Sequence, residues 1–189
     1  MRLFIAVELP KPVEAEIARF QGELSALAPR GVSWVKPENI HCTVKFLGEI
    51  DNGLLPALQK TLSGLRVPPA FGIRAAGTGV FPRWADPRVI WVGLDPLPRA
   101  LAALHEYLET ALEPLGFPPE ERRFSPHLTL GRVRDTHSIS RALDRLRERK
   151  DIVLGEWTAT EFVLFQSVLK PSGAEYTILQ RVPLGGPTP

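Results

Sequence analysis

The sequence predicts an α+β fold: two largely antiparallel sheets around a central groove, with helices on the outside. Three observations carry this. Helical-period segments are interspersed with hairpin-connected strand-like segments, in the rough order β-α-β-β-α-β-β-α-β-α-β-β. The pattern His-x-Thr-x occurs twice, at His41–Val44 and His127–Leu130, each time in apolar strand-like sequence. Each copy follows a proline-containing stretch, and each motif strand is followed by a helix after a short loop. This weak internal symmetry predicts two similar half-units around a groove, each lending one strand to its wall. Residues 1–184 form a single two-lobed domain in this reading, and 185–189 a flexible C-terminal tail.

The elements follow from local pattern. Residues 2–7 are apolar and strand-like. Lys11 to Ala28 places Val13, Ile17, Phe20, Leu24 and Leu27 at helical spacing, and Pro12 is acceptable in a first turn. Pro29-Arg30-Gly31 ends that helix; a short strand (Val32–Val35) and a turn (Lys36–Asn39) lead into the first motif strand, Ile40 to Leu47, which Gly48 stops. Residues 54–65 form a short leucine-rich helix. Val67 to Val80 reads as a strand, Phe81 to Pro87 as a loop, and Arg88 to Leu94 as a strongly apolar strand. Leu97 to Leu115 is a long amphipathic helix, and Gly116 to Pro119 breaks it. Phe124 to Val133 holds the second motif. Ser138 to Lys150 is a helix that Ser138 or Ser140 would cap. Glu156 to Leu169 reads as one long strand, with Glu175 to Val182 pairing back after a turn.

Composition narrows the function. Apolar residues are 44% and charged residues 23% of 189, which suits a globular core. No apolar run approaches the ~18 residues of a membrane span. The apolar start, Met1 to Glu8, is too short for a secretory signal, so a cytoplasmic protein is expected. A net charge of +2 argues against a polybasic nucleic-acid coat, although arginines gather around and after the second motif, from Arg122 to Arg149. The lone Cys42 excludes an intramolecular disulfide framework and reads as a small buried residue.

The doubled motif carries the chemistry. Residues i and i+2 of a strand share a face, so each copy shows one imidazole and one hydroxyl together. Histidine alone has an ordinary pKa of about 6.5, so two opposed imidazoles serve as base and acid across one phosphorus. Hydroxyls of Thr43 and Thr129 would hold phosphoryl oxygens. Lys45 shares parity with His41 and Thr43, which directs its ammonium to the groove; an ordinary exposed lysine is the equal alternative. Arg132 has the wrong parity and needs a bulge or the strand end to point inward. His105 and His137 lack a threonine two residues on and are expected at the surface. No His-Glu-x-x-His helix, clustered Asp/His set or Gly-x-Ser-x-Gly elbow is present, so neither a metal nor a cofactor is expected.

These segments together resemble a known family. Trp34 to Glu49, Gly77 to Pro82, Pro87 to Trp91, Phe124 to Arg132 and Val168 to Tyr176 are similar to the LigT-like branch of the two-histidine phosphoesterases, the RNA 2′,3′-cyclic phosphodiesterases often named 2′-5′ RNA ligases. The resemblance implies a bilobal fold with pseudo-two-fold symmetry and one catalytic strand from each lobe, and metal-independent opening of a terminal 2′,3′-cyclic phosphate to a 2′-phosphomonoester. It implies His41 as proton donor and His127 as proton acceptor, a division the residues themselves leave open. It also implies a reverse reaction in which a 5′-hydroxyl replaces water. The partner is then RNA with a cyclic phosphate terminus, tRNA fragments among the candidates, acted on by a monomer without a membrane.

Two other readings compete. A small nucleotide or ADP-ribose cyclic phosphate would use the same site, with Phe81, Arg83 and Trp84 stacking on a base. A non-catalytic RNA-binding module would use the groove as a clamp.

Overall fold

The structure, a computed structural model, describes residues 1–171 and 173–185. Its strands are β1 (Arg2–Glu8), β2 (Val32–Trp34), β3 (His41–Glu49), β4 (Phe71–Arg83), β5 (Asp86–Leu94), β6 (His127–Val133), β7 (Val153–Ala159), β8 (Glu161–Lys170) and β9 (Gly173–Pro183). The α-helices are α1 (Lys11–Leu27), α2 (Leu55–Ser63), α3 (Arg99–Leu112) and α4 (Ser140–Glu148). The expected α+β class is met, and the strand pairings are antiparallel.

The two expected sheets are halves of one. Strands run in the order β7-β4-β5-β6-β3-β1-β8-β9, with β2 also on β6. The halves meet between β3 and β6 through the pair Cys42–Leu128. Both residues are fully buried and belong to the main core. That core also takes the apolar stripes of all four helices, including Ile17 and Phe20 of α1, Leu58 of α2, Leu104 of α3 and Leu146 of α4. The helices therefore cover the face to which Cys42 points, and the other face of the central strands is left for a groove. A smaller apolar cluster, Phe4, Ala6, Val163 and Phe165, lies apart from the main core.

Several expectations are corrected. Gly48 does not stop β3: its φ of 72° accommodates a register shift against β1, and the strand continues to Glu49. The expected loop from Phe81 to Pro87 is a hairpin with a turn at Trp84 and Ala85. Its prolines mislead because Pro82 and Pro87 face one another, so neither ladder wastes an N–H. The single long strand after α4 is two strands broken at Thr160, since β7 joins β4 in one half and β8 joins β1 in the other. Neither Ser138 nor Ser140 caps α4; Ile139 stands at that position, and Ser138 Oγ donates to the Asp135 carboxylate instead. Of the expected tail, Gly185 donates its N–H to the Pro68 carbonyl at 2.8 Å, and 186–189 lie outside the described residues.

Candidate active site

The Cys42–Leu128 pair sets the site. Paired residues point to the same face, and their neighbours to the other. With Cys42 and Leu128 turned to the core, His41, Thr43, His127 and Thr129 all turn to the groove face, where each is half-buried. The antiparallel register places His41 level with Thr129, and Thr43 level with His127. Each histidine therefore faces the other motif's threonine. Burial pushes the Cys42 thiol up to about 12, which keeps it out of ionic chemistry.

Both imidazoles are anchored in the same way. Nδ1 of His41 donates to the Asn39 carbonyl at 2.8 Å, and Nδ1 of His127 donates to the Ser125 carbonyl at 2.8 Å. A carbonyl only accepts, so each Nδ1 carries hydrogen and each neutral ring offers a free Nε2 lone pair. Withdrawal from water lowers the pKa of His41 to about 4; the Asn39 carbonyl opposes this, and the charge of His127 adds to it. Burial also lowers the pKa of His127, against the Ser125 carbonyl and with help from Arg132.

Aromatic rings fix the two histidines laterally. Phe4 stacks on His41 with centroids 4.7 Å apart, and Tyr176 meets its edge at 5.3 Å. Phe81 meets the edge of His127 at 4.9 Å, with Trp91 at 6.4 Å. Phe4, Tyr176 and Trp91 were not anticipated, because they come from strands far from the motifs in sequence. The anchoring carbonyls had a local signal, since each lies two residues before its histidine.

The two expected cations exchange places. In β3, Ala6 pairs with Thr43 and Ile5 with Lys45, so Val44 is an extra residue. In β6, Trp91 pairs with Thr129 and Ile90 with Gly131, so Leu130 is an extra residue. Each bulge reverses the alternation beyond it. Lys45 thus leaves the groove face, only 2% exposed, and its Nζ meets Glu109 of α3 at 2.6 Å and the Pro118 carbonyl at 3.3 Å. Its expected place in the groove is overturned, as is the exposed alternative. Arg132 is exposed, and its charge acts on both His127 and Tyr176. It is therefore within electrostatic reach of both halves of the site.

The other expectations divide. His137 is exposed, but His105 is buried, with Nδ1 donating to the Val44 carbonyl at 3.0 Å and its ring stacked on Phe124 at 4.1 Å. Phe81 lies at the site, whereas Trp84 sits at the hairpin turn under the Arg147 guanidinium, 4.9 Å from its ring centroid. A cleft of ≈ 450 Å³ beside His127 is walled by Phe81, Trp91 and the 123–126 segment. A larger hollow of ≈ 530 Å³ near Arg74, Leu97 and Trp157 includes no motif residue. Among the described residues, no three His, Cys, Asp or Glu side chains gather as a cation site. No helix there is long and apolar enough to cross a membrane.

The chain is similar to known proteins in sequence and fold. The family model described as LigT like Phosphoesterase matches the chain twice, over residues 7–91 and 92–176. The chain belongs to this family. One LigT-like relative, the RNA 2′,3′-cyclic phosphodiesterase of Methanocaldococcus jannaschii, is 35% identical over 95% of this chain and 99% of its own length. The enzyme of the same name from Thermotoga maritima is 34% identical over 95% of this chain and 93% of its own. A solved Thermus thermophilus structure aligns with TM-score 0.83 at 32% identity, covering all of both chains. E. coli LigT complexed with 3′-AMP aligns with TM-score 0.79 at 28% identity, over 97% of this chain and 98% of the other.

Proposed function

We propose that this chain hydrolyses the 2′,3′-cyclic phosphate at an RNA end to a 2′-phosphomonoester, without a metal. The observation that carries the reading is the pair of Nδ1-anchored imidazoles, with both Nε2 atoms free on one face of the sheet. Water attacks phosphorus and gives its proton to Nε2 of His127. The P–O3′ bond breaks, and O3′ takes a proton from Nε2 of His41. Thr43 and Thr129 donate to phosphoryl oxygens, and Arg132 offsets the charge that develops on them. The free site favours neutral imidazoles; the anionic substrate favours the imidazolium that the donor needs. The same geometry run backwards joins a 5′-hydroxyl to the cyclic phosphate, giving a 2′-5′ linkage.

The twofold family match supports reading the two halves of the sheet as related half-units, each contributing one histidine. The reading includes the cytoplasmic, monomeric setting expected from the sequence. A nucleoside or ADP-ribose cyclic phosphate is the second reading, favoured by a cleft of ≈ 450 Å³, within the ~300–1,000 Å³ typical of small-ligand sites. Product analysis on a defined RNA with a terminal cyclic phosphate, in EDTA, tests the main reading. A 2′-phosphate is expected. A 3′-phosphate product refutes the leaving group, and absence of turnover refutes the activity.

A further inference from the structure

The cleft beside His127 offers more than one phosphate requires. Phe81 and Trp91 give it an aromatic wall next to the histidine. Arg123 and Lys150 also line it, and both are exposed, which puts them at its rim. They come from different segments: the loop before β6, and the residues just after α4. Some neighbouring charges are engaged, while Arg122 and Arg149 also stand outside the ion pairs of the described residues. Arg145 pairs with Glu148, Arg147 with Asp144, and Lys45 with Glu109. Neither Arg123 nor Lys150 is in an ion pair among the described residues. The position of Lys150 is held, since its carbonyl accepts the Thr78 N–H at 3.1 Å and its own N–H donates to the Arg147 carbonyl at 3.2 Å. Asp95 adds an acceptor to the lining, suited to a ribose hydroxyl or a base amino group.

An aromatic wall, a histidine and two unpaired cations lining one cleft match one nucleoside with a phosphate on either side. We infer that the cleft receives the nucleoside beside the reacting phosphate, and that Arg123 and Lys150 bind the next phosphate along the RNA strand. This rests on the function proposed above and narrows it: the preferred substrate is a polynucleotide end, not a mononucleotide. A mononucleoside cyclic phosphate fills the cleft but leaves both cations without a partner.

The test is the ratio of kcat/KM for a short oligoribonucleotide ending in a 2′,3′-cyclic phosphate to that for the corresponding mononucleoside cyclic phosphate. Wild-type protein should favour the oligonucleotide. In the Arg123→Ala/Lys150→Ala double variant that preference should fall by about tenfold or more, the scale of losing one charge-assisted hydrogen bond. The loss should appear in KM, and the log–log salt dependence for the oligonucleotide should become shallower by about one. An unchanged ratio overturns the inference, including the case in which both substrates lose activity equally. Hydrolysis of the mononucleotide with no oligonucleotide preference in wild type overturns it while sparing the proposed chemistry. Hydrolysis of neither substrate removes the proposed function itself.

Discussion

Strands β3 and β6 begin alike and end differently. From each histidine onward the burial runs half-buried, buried, half-buried, buried, buried, exposed, buried, and each strand carries an extra residue at the fourth position. The residues beyond the bulge then diverge. Where β3 has buried Lys45 and exposed Phe46, β6 has buried Gly131 and exposed Arg132. One strand turns its cation into the core, and the other turns its cation toward the site. The reason lies in their neighbours. β3 passes over α3, where Glu109 receives Lys45 and, on its other oxygen, the Glu120 N–H at 2.9 Å. β6 at this point pairs with β2, and a Cβ at Gly131 would stand 2.6 Å from Val32 Cγ1 and 3.0 Å from the Trp34 ring. A lysine fits only in β3.

The shared half of the comparison predicts the largest effect. His41→Ala and His127→Ala should each lower kcat by about 10²–10⁴-fold, the usual worth of a general acid or base. The double variant should fall well short of the product of the two losses, because the residues act as one unit. Steady-state kinetics on a cyclic-phosphate substrate measures this. Near-normal activity in either single variant would break the equivalence of the two strands.

The divergent half predicts a stability effect confined to one strand. Lys45→Ala leaves Glu109 buried without its cation, and losing one partner of a buried pair costs about 3–5 kcal/mol. Lys45→Met with Glu109→Leu removes both charges and should recover much of that loss. Urea unfolding reads both. The consequence extends to the site. Lys45, Glu109 and His105 hold residues 118–124, through Pro118, Glu120 and Phe124 in turn, and this segment leads directly to Ser125, whose carbonyl orients His127. The buried cation of the first motif strand thus supports the histidine of the second. If the double replacement restores stability but not kcat, Lys45 acts by positioning as well as by folding.

The same bulges explain what was legible in the sequence. Period-two alternation correctly places Cys42 in the core and the His/Thr pairs on one face, because those positions precede the extra residue. It fails at Lys45 and Arg132, because nothing local in Val44 or Leu130 marks a bulge; the pairing with β1 and β5 decides it. The hairpin at Trp84 was hidden by two prolines that suit each other only across the ladder. His105 did carry a signal. It falls at helical spacing within the buried stripe Leu101, Leu104, Leu108 and Leu112, a pattern that marks an inward face. The aromatic rings around the histidines had none, since sheet order alone brings Phe4, Tyr176 and Trp91 there.

The smallest predicted effect separates the two histidines themselves. Burial holds the free His41 at about 4, well below its ordinary value, so the empty site contains a neutral imidazole at pH 7. A bound anion favours the imidazolium, so the pKa in the complex lies above that in the free protein. Binding then takes up a proton wherever the pH falls between the two values. Sulfate keeps its charge across this range and isolates the effect. Its affinity should rise as pH drops, by up to about tenfold per pH unit for one proton taken up, and level off near the free value. Calorimetry in buffers of different ionisation enthalpy counts the proton, and the ring resonances of His41 and His127 identify which imidazole accepts it. Uptake at His41 fits its role as donor. Uptake at His127 reverses the two roles, and affinity that is flat or falls toward low pH removes the proton-linked imidazolium from the mechanism.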